Sequence, residues 1–324
     1  MTGQDTSAVL RVPARDIPVP AHLSPEAQVL LSTPAQTGES PAPDDHDGWR
    51  ATVAARNEMV LTVLGPAAAK VDAEVEEVEI EGVAVYVITP PGTPADDGRA
   101  FLEIHGGALI MGNGDCCRAM GMTALARAGV RMWAVDYRMP PDHPYPASLD
   151  DCVTIYRSLL RNHRPEEIIV GGASAGGNLA AALILRARDE GLPLPAAAVL
   201  LTPEVDLTES GDSFRTNLGV DNVLGSLMST NLLYASGHDL AHPYLSPLFG
   251  DFTEGFPPTF LATGTRDLFL SNTVRMHRSL RAAGVPAELH VLEAAPHGGF
   301  FGTSPEDREL VQEARRFVDD QWPR

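Results

Sequence analysis

A serine attacks a carbonyl efficiently only where a base takes its proton and N–H groups receive the new charge on the carbonyl oxygen. One serine of this chain has a local sequence suited to that. The run EEIIVGGASAGGNLAAALIL places Ser174 in Gly172-Ala173-Ser174-Ala175-Gly176, the G-x-S-x-G spacing. A β-rich stretch enters it and an Ala- and Leu-rich helical stretch leaves it, so the backbone must turn sharply and lift the hydroxyl above a strand end. Gly172 and Gly176 are expected where strand and helix approach too closely for side chains. The helix start behind Ser174 favours negative charge nearby. Other readings of the loop fail on spacing: a phosphate loop needs G-K-[ST], and a dinucleotide fingerprint needs G-x-G-x-x-G.

The charge acceptor is expected in AFLEIHGGALIMGNG, where a strand ends and His105-Gly106-Gly107-Ala108 follows. A Gly-rich loop lets backbone N–H groups approach a substrate oxygen. The usual H-G-G-G pattern ends here in Ala, which keeps its N–H and can serve if its dihedral angles suit a residue with a Cβ. The plainer alternative is a glycine turn after a strand. Base and acid are sought downstream, in the order Ser, acid, His. His297, in AAPHGGFFG, lies in a loop after the last expected strand, whereas His290 falls in a strand pattern and His277 in a helical one. Asp267, in ATGTRDLFLSN, follows the preceding strand in the same way; its alternative role is a helix N-cap.

These groups need a scaffold that brings several strand ends to one place. From Val75 the pattern has period two, and EVEIEGVAVYVIT reads as a hairpin turning at Glu81-Gly82. Strands are then expected at 100–104, 131–137, 168–171, 197–201, 259–263 and 288–292. Helices are expected between them at 116–128, 147–162, 177–189, 271–283 and 305–320. Such alternation specifies an α/β fold: a mostly parallel central sheet covered by helices on both faces. Two segments break it. Residues 1–70 show only two helical runs, 25–31 and about 49–64. Residues 205–245 carry apolar residues at loose helical spacing and no strand pattern. Both are read as a helical cap over a catalytic domain of 71–204 and 246–324; the plainer reading of the second is a packed helix pair.

The totals narrow the function. The chain has 324 residues with a formal net charge of −19, which argues against nucleic acid and anionic substrates. No stretch resembles a membrane helix. Three cysteines, Cys116, Cys117 and Cys152, are too few for a disulfide framework, and the N-terminus lacks the pattern of a signal peptide, so a cytoplasmic setting is expected. His105, Cys116 and Cys117 superficially suggest a metal cluster, but their spacing matches no ligand pattern, and neither metal nor cofactor is expected.

Taken together, the motifs resemble those of the hormone-sensitive-lipase-like carboxylesterases of the α/β-hydrolase superfamily. The similarity extends to VDYRMPPDHPYPASLDD, VDLTESGDS and SPLFGDFTEGFPPTFLATG, so that it covers about residues 75–320. It implies a nucleophile at Ser174, an acid at Asp267, a base at His297 and oxyanion N–H groups from Gly107, Ala108 and Ala175. His105, Arg138 and Asp151 match positions read as structural. The chain departs from the family in H-G-G-A and in the Ala before the serine, which leaves the subfamily open. The expected activity is hydrolysis of neutral, apolar, short- to medium-chain carboxylic esters. Lactones such as ε-lactones are an alternative substrate for the same residues, and an amidase or peptidase with the same triad and a non-catalytic ligand-binding protein are further readings. Leu109, Ile110, Met111 and Met228 are expected to help line the pocket. A homodimer paired through the edge strand at 288–292 is also expected.

Overall fold

Runs of Val, Ile, Leu and Ala set the interior of this computed structural model, which describes residues 10–35, 40–302 and 304–323. After α1 (Pro25–Leu31) and α2 (His46–Ala68), the hairpin strands β1 (Glu74–Ile80) and β2 (Val83–Thr89) meet at Glu81-Gly82. Both turn residues have positive φ, 52° and 84°, as a tight hairpin matched to strand twist requires. Then follow β3 (Ala100–Ile104), α3 (Asp115–Ala128), β4 (Met132–Asp136), α4 (Ala147–Leu159), β5 (Ile168–Ala173), α5 (Ala175–Asp189) and β6 (Ala197–Leu201). The segment after β6 holds the short helices α6 (Ser213–Thr216) and α7 (Met228–Ala235). The chain continues through β7 (Thr259–Gly264), α8 (Leu270–Ala282), β8 (Ala287–Leu292) and α9 (Pro305–Gln321).

The strands form one sheet in the order β1-β2-β4-β3-β5-β6-β7-β8. The pairs β1–β2 and β2–β4 are antiparallel, and every later neighbour is parallel. Along each parallel strand, side chains alternate between two cores. Leu102 and Val170 point to the side covered by α4, α5 and α8, while Phe101 and Ile169 face α3 and α9. Because both faces are covered, these strands read as continuous apolar runs. An exception is Glu103, which is buried and bridged by Arg127 of α3 at 2.5 and 2.6 Å. Burial pushes its carboxyl up to about 6 despite the guanidinium.

The strands agree with the sequence expectation within two residues at each end. By contrast, α2 is longer than expected. Asp45 caps it by accepting the Gly48 N–H at 2.9 Å, and the helix continues through Pro66. Both irregular segments pack on loops that leave the carboxyl ends of the parallel strands. Trp49 of α2 and Leu233 of α7 enclose Ile110, beyond β3. Phe214 and Leu227 meet Ala108, Leu268 and Phe269. Leu23 and Ala27 of the α1 region lie against Ala294, Ala295 and Phe300, beyond β8.

Candidate active site

The register of the sheet brings the expected residues together. Ile104 of β3 sits opposite Gly172 of β5, and Ala173 opposite Leu201, so the loops after these strands emerge side by side. Ser174 follows β5 directly with φ 57° and ψ −120°. This conformation is costly for a residue with a Cβ, and it is held by the Ser174 N–H to Leu201 O bond at 2.9 Å. The close approach expected around the serine is real. A Cβ on Gly176 would stand 1.9 Å from Ile104 O, and one on Gly172 would meet Ile104 O at 2.5 Å. Only glycine lets helix and strands come this close.

His297, from the loop after β8, places Nε2 2.9 Å from Ser174 Oγ. Its Nδ1 lies 3.1 Å from Asp267 Oδ1, in the loop after β7. Asp267 is fully buried and accepts the Thr263 hydroxyl at 2.7 Å and the Phe269 N–H at 2.8 Å. The Phe269 contact is a turn bond inside the loop and not the helix N-cap that the alternative reading expected, because α8 begins at Leu270 with Phe269 at its N-cap and no side-chain cap. Burial opposes charge on His297. The charge and hydrogen bond of Asp267, with the charge of Asp221, outweigh it and raise the imidazole above its usual 6.5. This geometry can remove a proton from Ser174 and hold the resulting imidazolium.

The loop after β3 closes the other side. A Cβ on Gly106 would lie 3.5 Å from Ser174 Cβ, which puts this loop against the serine. Gly107 has φ 131°, and a Cβ there would come 2.0 Å from Met111 O. Ala108 and Leu109 both have positive φ, 52° and 63°, so Ala108 adopts the left-handed conformation that its Cβ makes costly by about 1–2 kcal/mol. The Cβ packs among Phe214, Leu227, Leu268 and Phe269. Gly107 O accepts the N–H groups of Ile110 and Met111. The N–H groups of Gly107, Ala108 and Ala175 make no hydrogen bond among the described residues. His105 stacks on Tyr137 at 4.0 Å, and Tyr137 Oη donates to His105 O at 2.8 Å. Burial takes the His105 pKa down to about 4, so the ring is neutral and its Nδ1–H donates to Gly106 O at 2.7 Å. Arg138, in the loop after β4, pairs at 2.7 Å with Asp151 of α4, both read as structural.

The four residues expected to line a pocket divide. Leu109 is sealed in the main core, Ile110 is buried against Trp49 and Leu233, and Met111 packs on the same cluster. Met228 begins α7 and is partly buried. The apolar side chains packed on Ala108 are instead Phe214, Leu227, Leu268 and Phe269. Asp221 went unrecognised in the sequence. Its Oδ2 accepts the N–H of His297 at 3.2 Å and of Leu268 at 2.8 Å, and its Oδ1 accepts those of Val223 and Leu224. One buried carboxylate of the 205–245 segment thus ties together the loops carrying Asp267 and His297. Asn217 supports it by donating to Thr265 O and Asp267 O. No motif spacing marks either residue.

The trio of possible metal ligands also changes membership. His105 Nε2, Cys117 Sγ and an Asp136 oxygen lie within 4.8 Å of one another, whereas the Cys116 thiol donates to Asn57 O. All three cysteines are buried and unpaired. Among the described residues, no helix is long and apolar enough to cross a membrane.

Residues 101–301 match the family described as alpha/beta hydrolase fold. An acetyl-hydrolase of Streptomyces hygroscopicus is 32% identical over 227 residues, 68% of this chain and 76% of its own length. The carboxylic ester hydrolase LipN of Mycobacterium tuberculosis is 29% identical over 85% of this chain and 76% of its own length. Among solved structures, the esterase E25 superposes with a TM-score of 0.87 at 35% identity, covering 97% of this chain and 99% of its own. An esterase from the bacterial hormone-sensitive lipase family gives 0.80 at 32% identity, over 93% and 99%.

Proposed function

Because this chain belongs to the α/β-hydrolase fold family and is a carboxylesterase of the hormone-sensitive-lipase-like kind, we propose that it cleaves neutral, short- to medium-chain esters through an acyl-enzyme on Ser174. The observation that carries the reading is the unbroken path from Ser174 Oγ to His297, 2.9 Å, and from His297 to Asp267, 3.1 Å. His297 takes the serine proton as Oγ bonds to the acyl carbon. The N–H groups of Gly107, Ala108 and Ala175 receive the oxyanion, each contributing about 10²–10³ in rate. His297 then returns the proton to the leaving alcohol. In the second half it deprotonates water, which releases the acid and restores the serine. Asp267 holds the imidazole tautomer and the imidazolium without taking the proton.

A limited acyl length is supported by the cluster of Phe214, Leu227, Leu268 and Phe269 against Ala108, which leaves bulky side chains beside the carbonyl position. The acetyl-hydrolase relative points the same way. The open edge of β8 suits antiparallel pairing with a second copy, giving a homodimer. Three free buried thiols suit a reducing, cytoplasmic setting.

The test is hydrolysis of p-nitrophenyl acetate, butyrate and octanoate by the wild type and by Ser174→Ala. Turnover should fall on the order of 10⁶ in the variant, with the shorter esters preferred in the wild type. Equal activity in both proteins would remove Ser174 from the reaction. An inactive wild type on all three esters would direct the same comparison to lactones.

A further inference from the structure

Two neighbouring parallel strands each end three residues before an acid: β6 runs to Leu201 and is followed by Glu204, β7 runs to Gly264 and is followed by Asp267. Asp267 is the acid already assigned. Glu204 is fixed at least as closely to the serine, because its N–H donates to Ser174 O at 3.1 Å and its carbonyl accepts Asn178 Nδ2 at 2.7 Å. Its side chain is 1% exposed, and neither carboxyl oxygen has a hydrogen-bond partner among the described residues. Burying a carboxyl without donors is expensive. Its backbone bonds would survive in any residue type, so they do not account for an acid at this position.

We propose that Glu204 is a second acid for His297, a positioning residue whose negative charge, when present, stabilises the imidazolium formed as Ser174 loses its proton. The inference rests on the reading of Ser174 and His297 given above. Around the carboxyl stand His297 from the β8–α9 loop, the amide of Asn231 from α7, and Glu209 from the segment after β6. His297 is faced in turn by Asp267, Asp221 and Glu204. Burial pushes Glu204 up to about 8, opposed by His297 and by the Asn231 amide, with Glu209 adding a smaller push upward. Near neutrality Glu204 therefore holds its proton, and Asp267 is the acid that serves the histidine. At higher pH Glu204 releases that proton to solvent, and the histidine gains a second counter-charge while it is itself neutral and able to act as base. The rate should then rise a second time, above the rise set by His297.

The experiment compares kcat/KM against pH for wild type, Glu204→Gln, Asp267→Asn and the double variant, with p-nitrophenyl acetate as probe. In the wild type a second rise of about threefold to tenfold is expected through about pH 8, the size of an interaction worth up to one pKa unit. Glu204→Gln should lose that rise while matching the wild type near pH 6. Asp267→Asn should retain a weak activity that climbs over the same range, and the double variant should not. A rise that persists in Glu204→Gln overturns the proposal, and so does a loss of equal size at every pH, which assigns the residue to structure alone. Should Glu204→Gln fail to fold, infrared spectra of the wild type decide. Loss of one protonated-carboxyl band between about pH 7 and about pH 9.5 is expected, and its absence refutes the idea. Failure of the underlying reading is recognised separately, by activity that survives Ser174→Ala.

Discussion

At Gly107 the functional group proposed above is the backbone itself, an N–H aimed at the oxyanion. Its φ of 131° is outside the range of L-residues, and a Cβ would stand 2.0 Å from Met111 O, so Gly107→Ala must swing the loop away from Ser174. With an oxyanion donor displaced, kcat should drop by about 10²–10³ with a smaller change in KM, checked by steady-state kinetics on a folded sample. Unchanged kcat would take this loop out of the reaction. Gly107, Ala108, Ser174, Asp267 and His297, the residues proposed for the reaction, could all be picked out in the sequence because each follows a strand end inside a short, unusual string. The angles at Ala108 could not, since nothing in H-G-G-A says whether the fourth residue turns left-handed. Asp221 and Glu204 were illegible for a different reason. A single acid in an irregular segment looks like a solvated surface charge until the fold buries it.

At the scale of elements, the segment between β6 and β7 acts as a brace. Its Asp221 carboxylate receives N–H groups from both site loops, so its loss should disturb loop geometry and electrostatics together. For Asp221→Asn, kcat should fall by about tenfold or more, as expected when a charged hydrogen-bond acceptor is removed from a buried network. The pH profile separates the two effects. His297 is held above 6.5 partly by the charge of Asp221, and a base works only when neutral, so the acidic limb of kcat/KM should move to lower pH in the variant. A limb that stays in place would confine Asp221 to packing. Strands and their order of appearance were readable from apolar runs, as was the hairpin from Glu81-Gly82. The brace was less so: α6, α7 and a 3-10 turn at Pro247–Phe249 are helical there, and much of the rest is set by side-chain-to-backbone bonds such as those of Asn217 and Asp221. Such bonds leave no periodicity. The extra length of α2 was hidden similarly, because Pro66 reads as a stop although the helix passes through it.

Over the whole molecule, buried charge and pH are coupled. The Glu103–Arg127 pair lies between the sheet and α3, and Arg127→Met strands the carboxyl. A loss of about 3–5 kcal/mol in unfolding free energy is expected from denaturant titration near neutral pH. The loss should shrink in acid, where a Glu103 with its pKa near 6 takes up a proton and needs no partner. Glu204 predicts the opposite sign. Its carboxyl ordinarily titrates at 4.5 and in the fold at about 8. Below the lower value both native and unfolded chains hold the proton, and Glu204 contributes nothing to pH dependence. Between the two values the unfolded chain has released the proton and the native chain has not, so native stability declines steadily as pH rises. Above the upper value the decline from this group is complete. A glutamine at the same place has no proton to lose. The Tm of Glu204→Gln should therefore exceed that of the wild type by a margin that widens from about pH 4.5 to about pH 8 and is constant beyond. With a net charge of −19, general charge repulsion also varies over this range, but it acts almost equally on both proteins and cancels in the difference. A margin that does not change with pH would mean that Glu204 ionises in the native protein as it does in the unfolded chain.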